Sequence, residues 1–210
     1  MMSTLHRRNV AKKNDPGTVN ECKEYILSLM SEATNDDISI IYVGGHGGTA
    51  TEKFLQYGSI LAPSNEVMWC RHYKEIADSI PGMKIFIIDT CHSGGLADYF
   101  RFLNRKDVCV LTSTNVESST TSMPGEETSY LMHYILKGLD WKSNPMPADA
   151  NEDNQVTFTE LRNYVRRYVT YDTSHLSDLE KHYTVHEQFP QYYMPDDIDP
   201  VIYIRDSWCN

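Results

Sequence analysis

The sequence predicts an α/β domain built on a mostly parallel sheet. Three short apolar runs rich in β-branched residues carry that expectation: "ISIIYVGG" (38–45), "MKIFIIDT" (83–90) and "VCVLTST" (108–114). Near-continuous runs of this kind are the pattern of strands buried on both faces. Amphipathic stretches at helical spacing alternate with them, as helices covering a parallel sheet do. A chain of 210 residues is long enough for one domain with a sizeable core.

Taken in order, residues 1–16 are polar and read as a loose N-terminal segment, and 17–210 as a single domain. "GTVNECKEYILSLMSEA" places Val19, Cys22, Tyr25, Ile26, Leu29 and Met30 at helical spacing, which predicts a helix. The polar "TNDD" leads into the first strand. "SNEVMWCRHYKEIADSI" predicts a helix opening on Ser64 or Asn65 as cap and stopped by Pro81-Gly82. The second strand follows, then a short helix in "LADYFRFL" and the third strand. Residues 114–128 form a loop rich in Ser, Thr and Glu. Helices are expected in "SYLMHYILKGL" and from about Thr157 to Tyr171. Residues 172–199 show no periodicity, and "PVIYI" closes as a fourth strand.

Composition narrows the classes of function. Net charge is −10, which argues against a nucleic-acid or anionic-membrane surface. No run approaches the roughly 18 apolar residues of a membrane span, and the first thirty residues hold no apolar stretch of signal-peptide length. The cysteines, Cys22, Cys70, Cys91, Cys109 and Cys209, are odd in number and contain no CxxC, so neither a disulfide framework nor a zinc site is indicated. The eight histidines show no zinc-ligand spacing. The default expectation is a reducing, cytoplasmic setting.

In open α/β sheets, ligands bind beyond the carboxyl ends of the strands. Two strand ends stand out. One runs Gly44-Gly45-His46-Gly47-Gly48, the other Asp89-Thr90-Cys91-His92-Ser93-Gly94-Gly95. If the two strands are neighbours, His46 and Cys91 occupy adjacent loops at one sheet edge. A thiol becomes a useful nucleophile when a base stands beside it, and glycine-rich loops can turn N–H groups toward an oxyanion, with Gly47 and Cys91 as the natural donors. The plainer reading of Asp89 is a carboxylate that accepts backbone N–H groups at a strand end. Cys22 and Cys109 sit in apolar patterns and read as core, and His92 as a loop or pocket residue.

"YVGGHGG", "IDTCHSGG" and the "VLTST" that follows resemble the caspase-like cysteine peptidases, and the metacaspase-like and bacterial members more than the animal caspases. His46 and Cys91 are 45 residues apart, near the roughly 50 of caspases. "GSILAPS" and "ADANEDNQVTFTELRNYV" are also similar to the bacterial members, and the resemblance spans about residues 17–204. It implies a three-layer sandwich with helices on both faces of a mostly parallel sheet, and a cysteine endopeptidase with a Cys91–His46 dyad and an oxyanion hole at the Gly47 and Cys91 amides. Asp89 stands where metacaspase-like relatives carry an acid at the floor of the S1 pocket, so peptide or protein substrates with Arg or Lys at P1 are implied. Family domains normally begin with an apolar strand before the first helix, and none is visible between Met1 and Asn20. The first strand of the sheet is therefore expected to be missing, leaving an edge that a partner chain could complete. That departure keeps a second class open, a catalytically silent interaction or regulatory module; a ligase that passes the acyl group to an amine is a third.

No Lys or Arg occurs between Asp107 and Leu136, so an enzyme needing a basic P1 residue could not cut itself in the 114–128 loop; Arg101, Arg105, Lys106 and the N-terminal basic residues are the alternatives. The chemistry requires no cofactor. "DANEDNQVTFTE" nonetheless matches a calcium loop with Asp149, Asn151, Asp153, the Gln155 carbonyl and Glu160 at ligand positions, and Asn154 in place of the usual glycine. The competing reading is a polar turn followed by a Thr157–Glu160 capping box.

Overall fold

The computed structural model describes residues 17–49, 57–60, 64–126, 128–176 and 187–205. The N-terminal segment with Arg7, Arg8, Lys12 and Lys13, residues 61–63 of "GSILAPS", and Cys209 lie outside them. The elements, in chain order, are α1 (Val19–Leu29), β1 (Ile38–Gly44), β2 (His46–Thr49), β3 (Tyr57–Ile60), β4 (Val67–Trp69), α2 (Cys70–Ser79), β5 (Met83–Asp89), α3 (Gly94–Leu103), β6 (Val108–Thr112), α4 (Tyr130–Gly138), β7 (Gln155–Thr157), α5 (Phe158–Ser174), β8 (Tyr192–Tyr193) and β9 (Val201–Ile204).

The central sheet has the order β1-β5-β6-β8. β1, β5 and β6 are parallel, and the short β8 runs antiparallel along β6. Alternate side chains of β5 and β6 leave on opposite faces. Phe86, Ile88, Val108 and Val110 pack in one core with residues of α1, α2 and α3, while Ile85, Ile87, Cys109 and Leu111 pack in another with α4 and α5. This is the three-layer α/β arrangement expected, with Cys109 in the α4–α5 core and Cys22 packed against the other. Among the described residues β1 is an outer strand. Ile41 faces the α1 side and is buried, whereas Ile38, Ile40 and Tyr42 on the opposite face are exposed.

Helix starts follow local chemistry. Thr18 caps α1 and Thr157 caps α5, each in a reciprocal capping box with the glutamate three residues on, Glu21 and Glu160. Ser129 caps α4 by accepting the Met132 N–H at 3.0 Å.

Three expectations change. The helix over 64–80 begins at Cys70, because Val67–Trp69 pair antiparallel with Ile60–Gly58; Ser64 accepts the Glu66 N–H in a turn instead of capping. The His46 loop is itself a strand, β2, and with β3 and β4 it forms a small antiparallel sheet that the sequence pattern did not reveal, since two of its strands are rich in glycine and hydroxyl residues. The closing strand β9 pairs with β7 in a separate ribbon, and the fourth place in the central sheet falls to β8, from the segment without periodicity.

Phe86 is fully buried between Tyr73 and Phe100. Phe86→Ala is expected to lower unfolding free energy by about 3–5 kcal/mol, whereas truncating Phe102, which is 74% exposed, should change it by less than about 0.5 kcal/mol. Urea denaturation of the two variants checks this.

Candidate active site

The parallel register of β1 on β5 aligns Gly44 with Asp89. His46 and Cys91 therefore each lie two residues beyond a paired position, at the same carboxyl edge. The approach is close. A Cβ on Gly47 would stand 2.2 Å from the Cys91 carbonyl oxygen and 2.6 Å from Thr90 Oγ1, so only glycine lets the His46 strand lie against the Cys91 loop. His46 is exposed at the start of β2 and Cys91 is half-buried. Among the described residues no hydrogen bond joins the His46 ring to Cys91 Sγ; the sulfur's partner is Thr120, whose N–H points to it at 3.4 Å and whose carbonyl oxygen lies 3.9 Å away.

The Cys91 loop is held from below by a chain of buried hydroxyls. Tyr73 on α2 meets Ser59 on β3, Ser59 meets Tyr57 at 2.9 Å, and Tyr57 meets Thr90. From the β6 side, Ser113 Oγ donates to the Thr90 carbonyl at 3.1 Å and the Ser113 N–H donates to the Ile88 carbonyl at 3.0 Å. His92 sits in the left-handed region at φ 59°. Its N–H donates to the Ser118 carbonyl at 2.9 Å, and its Nδ1 lies 2.9 Å from the Val116 carbonyl. It is a loop residue, as expected, and it draws residues 116–118 over the Cys91 loop. Gly94 opens α3 where a Cβ would meet Asn115 Cα at 2.7 Å, which admits the same segment.

Asp89 ends β5 and is 4% exposed. Its Oδ2 accepts from Tyr42 Oη at 3.0 Å and from Ser129 Oγ, the cap of α4. Burial pushes its carboxyl above the usual carboxylate range; hydrogen bonds from Ser129, Tyr42 and Thr120 pull it part of the way back. Its Oδ1 has no hydrogen-bond partner among the described residues. The partners are therefore side-chain hydroxyls and not the backbone amides of the plainer sequence reading.

Comparison with known proteins sets this edge in context. A family model described as "Caspase domain" matches residues 4–197. The chain belongs to the caspase-domain family. Two solved structures share the fold of this caspase-domain chain. One is caspase-1 from Spodoptera frugiperda, at 17% identity and TM-score 0.58, covering 90% of this chain and 72% of that one. The other is a protein from Geobacter sulfurreducens, at 11% identity and TM-score 0.52, covering 84% and 72%. A search of curated proteins returns no match. The expected family and fold are thus borne out.

Other residues at the edge escaped the sequence reading. Tyr42 had a signal, since it lies two residues before Gly44 in a strand and shares its face. Ser129 and Thr120 are hydroxyl residues among many in their loop. Gln188 comes from the segment without periodicity, where nothing marked it.

Of the five predicted calcium ligands, Asp149, Asn151 and Asp153 lie in one turn, Gln155 opens β7 and Glu160 is in the first turn of α5; Asn154 adopts the left-handed conformation at φ 66°. Their oxygens face the protein's own donors. Asp149 accepts the Asp153 and Asn154 N–H groups at 3.1 and 2.9 Å, Asp153 accepts that of Gln155 at 2.8 Å, and Glu160 accepts those of Ala150 and Thr157 at 3.1 and 2.9 Å. Among the described residues no group of three or more His, Cys, Asp or Glu side chains is arranged to hold a metal. Thermal melting with millimolar calcium and with chelator is expected to give the same Tm; a rise of several degrees with calcium would show that the segment binds the ion.

Asp89 also gives a pH prediction. A carboxyl raised above its unfolded value, about 3.9, contributes stability that is fully present below that value and lost as pH rises through the folded one. Asp89→Asn removes this loss. The Tm of the variant relative to the parent is expected to increase from about pH 3 to about pH 7, as differential scanning calorimetry would record.

Proposed function

We propose that this caspase-domain chain is a cysteine endopeptidase that cleaves after Arg or Lys, with Cys91 as nucleophile and His46 as general acid and base. The observation that carries the reading is the register of β1 on β5, which brings the histidine and the thiol to one edge with a buried carboxylate beside them. Family membership makes a peptidase of this kind the expected chemistry, and the acid two residues before the nucleophile is the metacaspase-like pattern that points to a basic P1 side chain.

His46 takes the Cys91 proton, and the thiolate attacks the scissile carbonyl carbon. The oxygen of the tetrahedral intermediate is received by the Gly47 and Cys91 N–H groups. His46 then gives its proton to the leaving amine as the C–N bond breaks. Water, deprotonated by His46, attacks the thioester; the acid product leaves and Cys91 recovers its proton. A guanidinium or ammonium facing Asp89 favours the ionised carboxylate and offsets the cost that burial imposes on it. The scheme uses no metal, and protein substrates are its targets.

One observation favours the second reading, a catalytically silent module. Thr120 contacts the sulfur, and its loop must move before a substrate carbonyl can reach Cys91. Hydrolysis of fluorogenic peptides ending in Arg, Lys, Asp or Asn separates the two. Turnover of the Arg and Lys peptides alone, reduced at least about a thousandfold in Cys91→Ala and His46→Ala, is the expected result. Silence across the panel would leave the interaction module standing. In the same assay, mass spectrometry should find no self-cleavage between Asp107 and Leu136, the span without Lys or Arg.

A further inference from the structure

Gln188 and Thr120 form a polar contact beside Asp89 that neither the motifs nor the proposed chemistry uses. Gln188 is fully buried. Its backbone is pinned to α5, with its N–H donating to Thr173 Oγ1 at 3.0 Å and its carbonyl accepting from Thr170 Oγ1 at 3.3 Å. A residue anchored in this way presents its side chain on a rigid base. The amide oxygen accepts from Thr120 Oγ1 at 3.0 Å, and the amide nitrogen has no partner among the described residues. The Thr120 side chain also lies near enough to Asp89 to help lower its carboxyl, and Asp89 Oδ1 is likewise unpartnered among the described residues.

Two buried polar side chains thus stand near the Thr120 hydroxyl, and each keeps an unmet atom, an acceptor on Asp89 and a donor on Gln188. Leaving the Asp89 acceptor unpaired in a core costs about 1–3 kcal/mol, so it points to a ligand group with more hydrogen-bond donors than a threonine. The backbone of the same threonine lies on Cys91 Sγ. One residue with its backbone against the sulfur and its side chain toward the acid sits as the P1 residue of a substrate would sit. Threonine is too short to reach either partner with more than its single hydroxyl.

We propose that Gln188 is a second P1-recognition residue of the Asp89 pocket, and that Thr120 occupies this pocket until the P1 side chain of a substrate replaces it. The inference rests on the reading of Asp89 as the P1 acid and adds the residue that completes the pocket. When Thr120 leaves, the Gln188 amide oxygen and the Asp89 carboxylate are both free to accept from one side chain. A guanidinium, with five N–H donors in a fixed fork, reaches both acceptors more readily than an ammonium does. Arg is therefore preferred over Lys at P1, and Gln188 is a source of that preference.

The test measures binding, so that it does not depend on turnover. Isothermal titration of the Cys91→Ala protein with short peptides ending in Arg-amide or Lys-amide gives both affinities. Gln188→Leu, which keeps the volume and removes both polar atoms, is expected to weaken the Arg peptide about tenfold and the Lys peptide less, so that the Arg-to-Lys ratio falls. Gln188→Glu, which retains an acceptor for both Thr120 and the peptide, should keep the ratio, showing that any loss in the leucine variant is not misfolding. Thr120→Ala should tighten both peptides several-fold. An unchanged Arg-to-Lys ratio in Gln188→Leu, unchanged affinities in Thr120→Ala, or no binding of either peptide overturns the proposal. If binding shifts as expected while the Cys91 protein shows no turnover, the pocket stands and the endopeptidase reading falls. If turnover is present and binding ignores Gln188, only this assignment falls.

Discussion

The pairing of β1 with β5 is the constraint on which the rest depends. Its register sets Gly44 opposite Asp89, and from that alignment His46 and Cys91 emerge at one edge without further adjustment. The parallel ladder is rigid because β5 is buried on both faces, with Phe86 and Ile88 in one core and Ile85 and Ile87 in the other. A slip of one residue would send these side chains to opposite faces. The two cores thereby protect a registration whose consequence appears several residues away. The close contact of Gly47 with Cys91, and the hydroxyl chain from Tyr73 to Thr90, then fix the loop that carries the thiol.

Asp89 shows how this edge sets stability against chemistry. A carboxyl at the end of a buried strand is raised by desolvation, and an uncharged residue would suit the fold better. Two hydroxyls, from Tyr42 on β1 and from the cap of α4, hold it in place. The capping serine is therefore shared between helix and acid, which couples the position of α4 to Asp89. Local rules broken at a buried polar position, with neighbouring groups arranged to tolerate it, are characteristic of functional sites.

Much of this was legible in the sequence. The three parallel strands, helices α1, α4 and α5, and the position of His46 and Cys91 just beyond two strand ends all follow from periodicity and from the residues at those ends. The small sheet of β2, β3 and β4 was not, because "HGGT" and "YGSI" carry no apolar alternation and their pairing is set by contact with the Cys91 loop. The helix boundary at Cys70 was missed for the same reason: Val67 and Trp69 are apolar at spacings that suit either state, and the partner strand decides. Gln188 lay in a segment with no pattern, and its position depends on two threonines of α5.

The most direct measurement of the central claim, that this edge is a P1-basic thiol site, is covalent trapping. The protein would be treated with an Arg-containing peptidyl acyloxymethyl ketone, and the adducts mapped by peptide mass spectrometry. The account predicts a single adduct on Cys91, none on Cys22, Cys70 or Cys109, and labelling slowed at least about tenfold by Asp89→Asn, the loss of one charged contact. Labelling spread over the other cysteines, or a Cys91 adduct formed at the same rate without the acid, would contradict it.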